Sequence, residues 1–195
     1  SYDIFHHESI KNKYDYLMRL DSDSYFNDYL SDDLFKIIYN QDLHYVYRSL
    51  YTDHGSSKQL NIIEQDFFYH NDEQKQVNIS YDKCIYNNFF IISLKFWHND
   101  IIIQTLLKQL IPTNLMIESY IGDGCVHASM IRLGSNKEKT KQLLFPYGHN
   151  MHFHEKNVEN YTFIENINYF DAISDNVCQK FVFIDINKNL KIINV

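Results

Sequence analysis

Three histidines, His149, His152 and His154, fall within six positions of the stretch FPYGHNMHFHE (145–155). In an extended strand, residues two apart point the same way, so His152 and His154 would present both imidazoles to one face. Such a pair binds a divalent metal ion when a third donor comes from elsewhere in the chain. His149 and Glu159 are the nearest further donors, and the four residues together are candidate ligands. The stretch IGDGCVHASMIRLG (121–134) also has chemical content. If CVHASMIRL is helical, Cys125 stands at a helix N-terminus, where the dipole favours the thiolate. With His149 or His152 as general base, and Glu155 or Asn150 orienting the imidazole, Cys125 would be the nucleophile of a thiol hydrolase. Each stretch has a plainer reading. A β-hairpin around GDG leaves Cys125 a small buried side chain, and an edge strand carries the histidines with no ligand. Spacing without a third donor favours the plainer readings.

The fragment from His152 to Glu159 resembles part of the first cupin metal motif, which implies a metal site in a β-barrel. The second cupin motif has no counterpart, because no Gly, Pro or His follows His154. His98-Asn99-Asp100, with a distal histidine near 149–154, resembles the outline of the facial triad of 2-oxoglutarate oxygenases, which implies non-haem iron. The arginine by which those enzymes bind their cosubstrate is missing, since no Arg follows Arg132. Asp123-Gly124-Cys125 resembles the Asp-Gly-x-Cys element of ovarian-tumour-type deubiquitinases, one residue short, and implies a thiol hydrolase. No Gly-rich phosphate loop, G-x-S-x-G elbow, Cys-x-x-Cys pair or His-Glu-x-x-His helix occurs.

SIKNKYDYLMRL (9–20) has apolar residues at helical spacing, and SDSYFNDYL (22–30) and SDDLFKIIYN (31–40) each open with a capping Ser or Asp. QDLHYVYRSLY (41–51) continues as helix, and TDHGSS (52–57) breaks the pattern. Beyond it, QVNISYD (76–82) and FFIISLKFW (89–97) read as strands joined through KCIYNN. DIIIQTLLKQL (100–110) reads as a helix capped by Asp100 and stopped near Pro112. LMIESYI (115–121) reads as a strand and SNKEKTKQ (135–142) as an exposed loop. FVFIDI and LKIINV (181–186 and 190–195) form a hairpin across NKN. The expected fold is α+β: one domain over 1–195, with a helical N-terminal third (1–56) packed on a mostly antiparallel sheet. Residues 57–195 would be mainly β, with one or two helices.

Among 195 residues, 16 are Tyr and 14 Phe, and the formal charge is −7. Residues 1–56 hold ten acids against five bases. That field excludes a nucleic-acid backbone as partner and attracts a basic protein. No apolar run reaches the ~20 residues that cross a bilayer, and the N-terminus has neither the basic nor the apolar region of a signal peptide. Cys84, Cys125 and Cys178 are widely spaced and odd in number, which fits thiols in a reducing, cytoplasmic setting. The region 25–51 interleaves Tyr25, Tyr29, Tyr45 and Tyr47 with Asp28, Asp32, Asp33 and Asp42, a composition suited to a Lys- or Arg-rich partner. These features rank first a small acidic inhibitor or immunity-type protein that neutralises a basic protein such as a toxin nuclease, with no cofactor. A Cys125 hydrolase or a divalent-metal enzyme built on the histidine cluster comes next, followed by a viral or phage host-interaction factor.

Overall fold

A computed structural model of the protein describes residues 2–26, 33–70, 83–134, 139–144 and 147–149, and strands at 152–154, 162–164, 177–178, 180–184 and 190–194. The order is α1 (Tyr2–His6), β1 (Tyr16–Leu20), β2 (Ser24–Phe26), α2 (Leu34–Asn40), β3 (Tyr45–Thr52), α3 (His54–His70), β4 (Lys83–Ser93), α4 (Leu94–Asn99), α5 (Ile101–Leu110), a 3-10 turn (Ile111–Thr113), α6 (Leu115–Glu118) and α7 (Asp123–Leu133). Strands β5 (Thr140–Leu144), β6 (Tyr147–His149), β7 (His152–His154), β8 (Thr162–Ile164), β9 (Val177–Cys178), β10 (Lys180–Ile184) and β11 (Leu190–Asn194) follow.

Three sheets are formed, with strand orders β1-β4-β3-β5-β8, β2-β6-β7-β9 and β10-β11. The five-stranded sheet is mixed, with β3 and β5 parallel, and the other pairings are antiparallel. The inner strands β3 and β4 are covered on both faces. Tyr45, Tyr47, Phe90 and Ile92 face a core built with α4, α5 and α7, whereas Val46, Phe89 and Ile91 face a second cluster with Leu34 and Ile38 of α2. Burial on both faces explains why the sequence there is a nearly unbroken apolar run rather than an alternation.

Side-chain caps set the helix starts. The Asp33 carboxylate accepts from the Phe35 and Lys36 amides, Ser93 Oγ from the Phe96 amide, and Asp100 from the Ile102 and Ile103 amides. Pro112 then stands in the 3-10 turn that ends α5. The helix over 100–110 and the β10–β11 hairpin therefore fall where the sequence places them.

The helical N-terminal third is corrected. Residues 34–40 are helical, but 16–20, 24–26 and 45–52 are strands. The apolar residues of YLMRL fit a helix by spacing, yet all five residues of β1 pair with β4, from Tyr16 opposite Ser93 to Leu20 opposite Phe89. Tertiary pairing outweighs local propensity in so short a segment. KCIYNN is part of β4 and not the turn expected there; residues 76–82 lie outside the described residues. Residues 115–118 are helical, and the polar run at 135–142 ends inside β5, where Thr140 and Gln142 are buried. Two cysteines expected as thiols, Cys84 and Cys125, form a disulfide that ties β4 to α7, with Cα atoms 4.3 Å apart.

His127 of α7 lies in the main core, 3% exposed, with Nδ1 2.7 Å from the Tyr45 hydroxyl. Burial, only partly offset by Asp123, pushes its pKa down to about 4. The unfolded imidazole titrates near 6.5. Between these values the unfolded state binds a proton that the folded state refuses, so acidification through this window destabilises the fold. The loss reaches about 3 kcal/mol near the lower limit. Urea unfolding at pH 7 and pH 4.5 should show a smaller drop for His127→Gln than for wild type, because the variant lacks this proton.

Candidate metal centre

The chain passes from the five-stranded to the four-stranded sheet through Asp21-Ser22-Asp23, the residues between β1 and β2. The β1–β4 register puts Leu20 opposite Phe89, so Asp21 comes beside Asn88, and its amide donates to the Asn88 carbonyl (3.1 Å). The Ser24 amide then donates to the Asp21 carbonyl (2.9 Å), which closes a tight turn. In the second sheet β2 lies antiparallel to β6, Ser24 opposite His149 and Tyr25 opposite Gly148. The Tyr25 ring lies against Gly148: a Cβ there would stand 2.4 Å from Cζ, so any larger residue would displace the ring. These pairings bring a histidine from late in the chain to two aspartates near its start.

One donor atom each from Asp21, Asp23 and His149 lies within 4.8 Å of the other two. His149 Nε2 is 3.0 Å from Asp23 Oδ1 and 4.0 Å from Asp21 Oδ2. Around the triad, Arg19 Nε donates to Asp21 Oδ1 (2.8 Å) and Arg19 Nη1 to Asp123 Oδ2 (2.8 Å). Asn88 Nδ2 donates to Asp21 Oδ2 and to His149 Nε2, both at 2.7 Å, and the Tyr86 hydroxyl lies 3.0 Å from His149 Nδ1. An Nε2 that accepts from Asn88 carries no proton, so Nδ1–H donates to Tyr86. Nε2 also lies 3.0 Å from Asp23 Oδ1, close enough for one cation to draw on both atoms. Two carboxylates and an imidazole suit Mn2+ or Mg2+, so the residues fit a divalent metal. Asp23 is 51% exposed, which opens the centre to solvent.

Neighbouring groups respond to this charge. Burial, then Asp23 and Asp21, raise the pKa of Tyr86. Burial and the carboxylates of Asp53 and Asp123 push Tyr51 up to about 12. Asp123, at the start of α7, would be raised by burial, but hydrogen bonds from Asn87 and Arg19 outweigh that and hold it below the usual carboxylate range.

Of the residues singled out from sequence, His149 stands in this centre. His152 lies opposite it in the β6–β7 pairing and His154 lies opposite Tyr147; Glu159 is outside the described residues. Cys125 is bonded to Cys84 and fully buried, so it offers no thiolate. Among the described residues, the acidic aromatic residues do not form one surface. Tyr45 and Tyr47 are in the core, Asp33 caps α2, Asp42 pairs with Lys139 (2.7 Å), and Tyr25 packs on Gly148. Asp28, Tyr29 and Asp32 lie outside the described residues. Sequence reasoning missed Asp21, Asp23, Asn88 and Arg19. The signal present was an acid-x-acid pair directly after the apolar segment YLMRL.

Protein-family models and curated protein sequences give no match to the chain. Its fold is similar to that of core-mannan synthase A from Aspergillus fumigatus, solved in a Mn/GDP form (TM-score 0.64, 18% identity, 76% of this chain and 45% of that one). It is likewise similar to the mannosyltransferase Ktr4p from S. cerevisiae (TM-score 0.66, 18% identity, 77% and 44%) and to that protein in complex with GDP (TM-score 0.57, 18% identity, 77% and 43%). The chain thus spans less than half the length of these structures. The likeness is one of fold. It overturns the expectation of an inhibitor or immunity-type protein with a basic protein partner, because the solved structures that share this fold are a core-mannan synthase and a mannosyltransferase. Among the described residues no helix is long and apolar enough to cross a membrane.

Proposed function

We propose that the chain is the donor-binding part of a metal-dependent glycosyltransferase, using a nucleoside diphosphate sugar. The observation that carries this reading is the convergence of Asp21, Asp23 and His149 on one point, in a fold shared with structures solved with Mn and GDP. Asp21 and Asp23 would supply hard oxygen donors and His149 Nε2 a nitrogen donor. When bound, the cation neutralises charge on the diphosphate leaving group.

The remaining side chains orient these donors. Tyr86 holds the His149 tautomer that leaves Nε2 free to ligate. Arg19 occupies Oδ1 of Asp21 and so turns Oδ2 towards the triad, while its other arm ties Asp21 to Asp123 on α7. A guanidinium committed to two carboxylates holds both at a fixed spacing. Asp23, the most exposed donor, is the one most open to an arriving diphosphate.

The test is Mn2+ titration followed by electron paramagnetic resonance, then GDP titration with and without the metal. One Mn2+ per chain, and GDP binding at least about tenfold tighter in its presence, are expected. A chain that leaves millimolar Mn2+ free would overturn the reading.

A further inference from the structure

We infer that Asn88 is a further ligand of the bound cation, through its side-chain amide oxygen; this rests on the function proposed above. Asn88 and Tyr86 are two apart on β4, where its pairing with β3 shifts register, and both side chains reach the ring of His149. Together they address both nitrogens of one ring, Tyr86 at Nδ1 and Asn88 at Nε2. The Asn88 amide also reaches Oδ2 of Asp21, the oxygen that Arg19 leaves unclaimed. One amide nitrogen therefore sits 2.7 Å from each of two donors of the triad.

That placement has a different meaning once a cation is held. Without one, the amide N–H group satisfies two acceptors. A cation that draws on Oδ2 and Nε2 takes both lone pairs, leaving the N–H group with no acceptor and close to positive charge. The terminal torsion of asparagine is soft and roughly two-fold. Half a turn about it exchanges the nitrogen for the carbonyl oxygen, a hard neutral donor of the kind that Mn2+ and Mg2+ accept. Asn88 then serves both states, as N–H donor in one and oxygen ligand in the other. The ligand set becomes two carboxylates, one imidazole and one amide, with the remaining positions left to water and diphosphate.

Two substitutions separate an oxygen ligand from a residue that merely positions the others. Mn2+ affinity is measured by electron paramagnetic resonance on wild type, Asn88→Ala and Asn88→Asp, with circular dichroism melts to confirm folding. Asn88→Ala loses the donor, and affinity falls about tenfold. Asn88→Asp keeps an oxygen at the same reach but has no N–H, and it binds at least as tightly as wild type. If Asn88→Asp weakens binding as much as Asn88→Ala, the N–H is what matters and the inference fails. Unchanged affinity in Asn88→Ala overturns it as well. Wild type without Mn2+ binding overturns the proposed function and this inference together, whereas a failure confined to the variants leaves the proposed function standing.

Discussion

Asp23→Asn abolishes Mn2+ binding at concentrations that saturate wild type, and with it the metal-dependent binding of GDP. Removing one of the two anionic donors lowers affinity by about 100-fold or more. Asp23 is the cleaner of the two aspartates to test. Its carboxylate is half exposed and caps no helix among the described residues, so the substitution costs roughly 0.5 kcal/mol of stability or less. Asp21→Asn should lose binding to the same degree, but it also loosens the Arg19 pair, whose partners are 29% and 25% exposed. A partly exposed pair of this kind contributes on the order of 1 kcal/mol. Isothermal titration with Mn2+, alongside urea unfolding of each variant, separates the two effects. Wild-type affinity in Asp23→Asn would remove that residue from the centre and leave His149 with a single carboxylate.

How much of this was legible in the sequence depends on how far each feature reaches along the chain. Caps act within three residues, and Asp100 before IIIQTLLKQL was readable for that reason. The β10–β11 hairpin is equally local. Asp21-Ser22-Asp23 was also visible, but Ser and Asp ahead of SYF look like the start of a helix as much as the end of a strand. Only the pairing of β1 with β4, some 70 positions apart, decides between them. His149 was noticed for its neighbours His152 and His154, yet its partners are Asp21, Asp23, Tyr86 and Asn88, brought in by β2–β6 pairing and the run of β4. The GDG segment misled for another reason. Its second glycine, Gly124, is needed because a Cβ there would stand 2.1 Å from the Ile85 carbonyl oxygen of β4. Close packing of a helix on a strand and the turn of a hairpin both call for glycine, and the sequence does not distinguish them.

The same packing makes α7 the element whose anchoring matters most. Arg132 near its end is 3% exposed and Glu64 of α3 is fully buried; the guanidinium donates to both carboxylate oxygens, at 2.9 and 3.0 Å from Nε and 2.5 Å from Nη2. Ser129 Oγ also donates to Glu64, and Arg132 Nη1 reaches the Lys83 carbonyl of β4 (3.1 Å). Glu64→Gln is expected to cost about 3–5 kcal/mol, because it leaves the arginine charge buried and uncompensated. Replacing both partners by apolar residues of similar volume, Glu64→Leu with Arg132→Met, should recover most of that loss. Urea unfolding of the three proteins checks both statements, and a double variant no better than Glu64→Gln would show that hydrogen bonds to Ser129 and Lys83 outweigh the charge. The other end of α7 carries Asp123, which reaches the metal centre through Arg19. If α7 keeps its place in the folded variants, Mn2+ affinity stays within about threefold of wild type, since distant and independent sites add. A larger fall in the double variant would mean that the Glu64–Arg132 pair fixes where α7 holds Asp123, and that this buried contact sets the spacing of Asp21 from within the core.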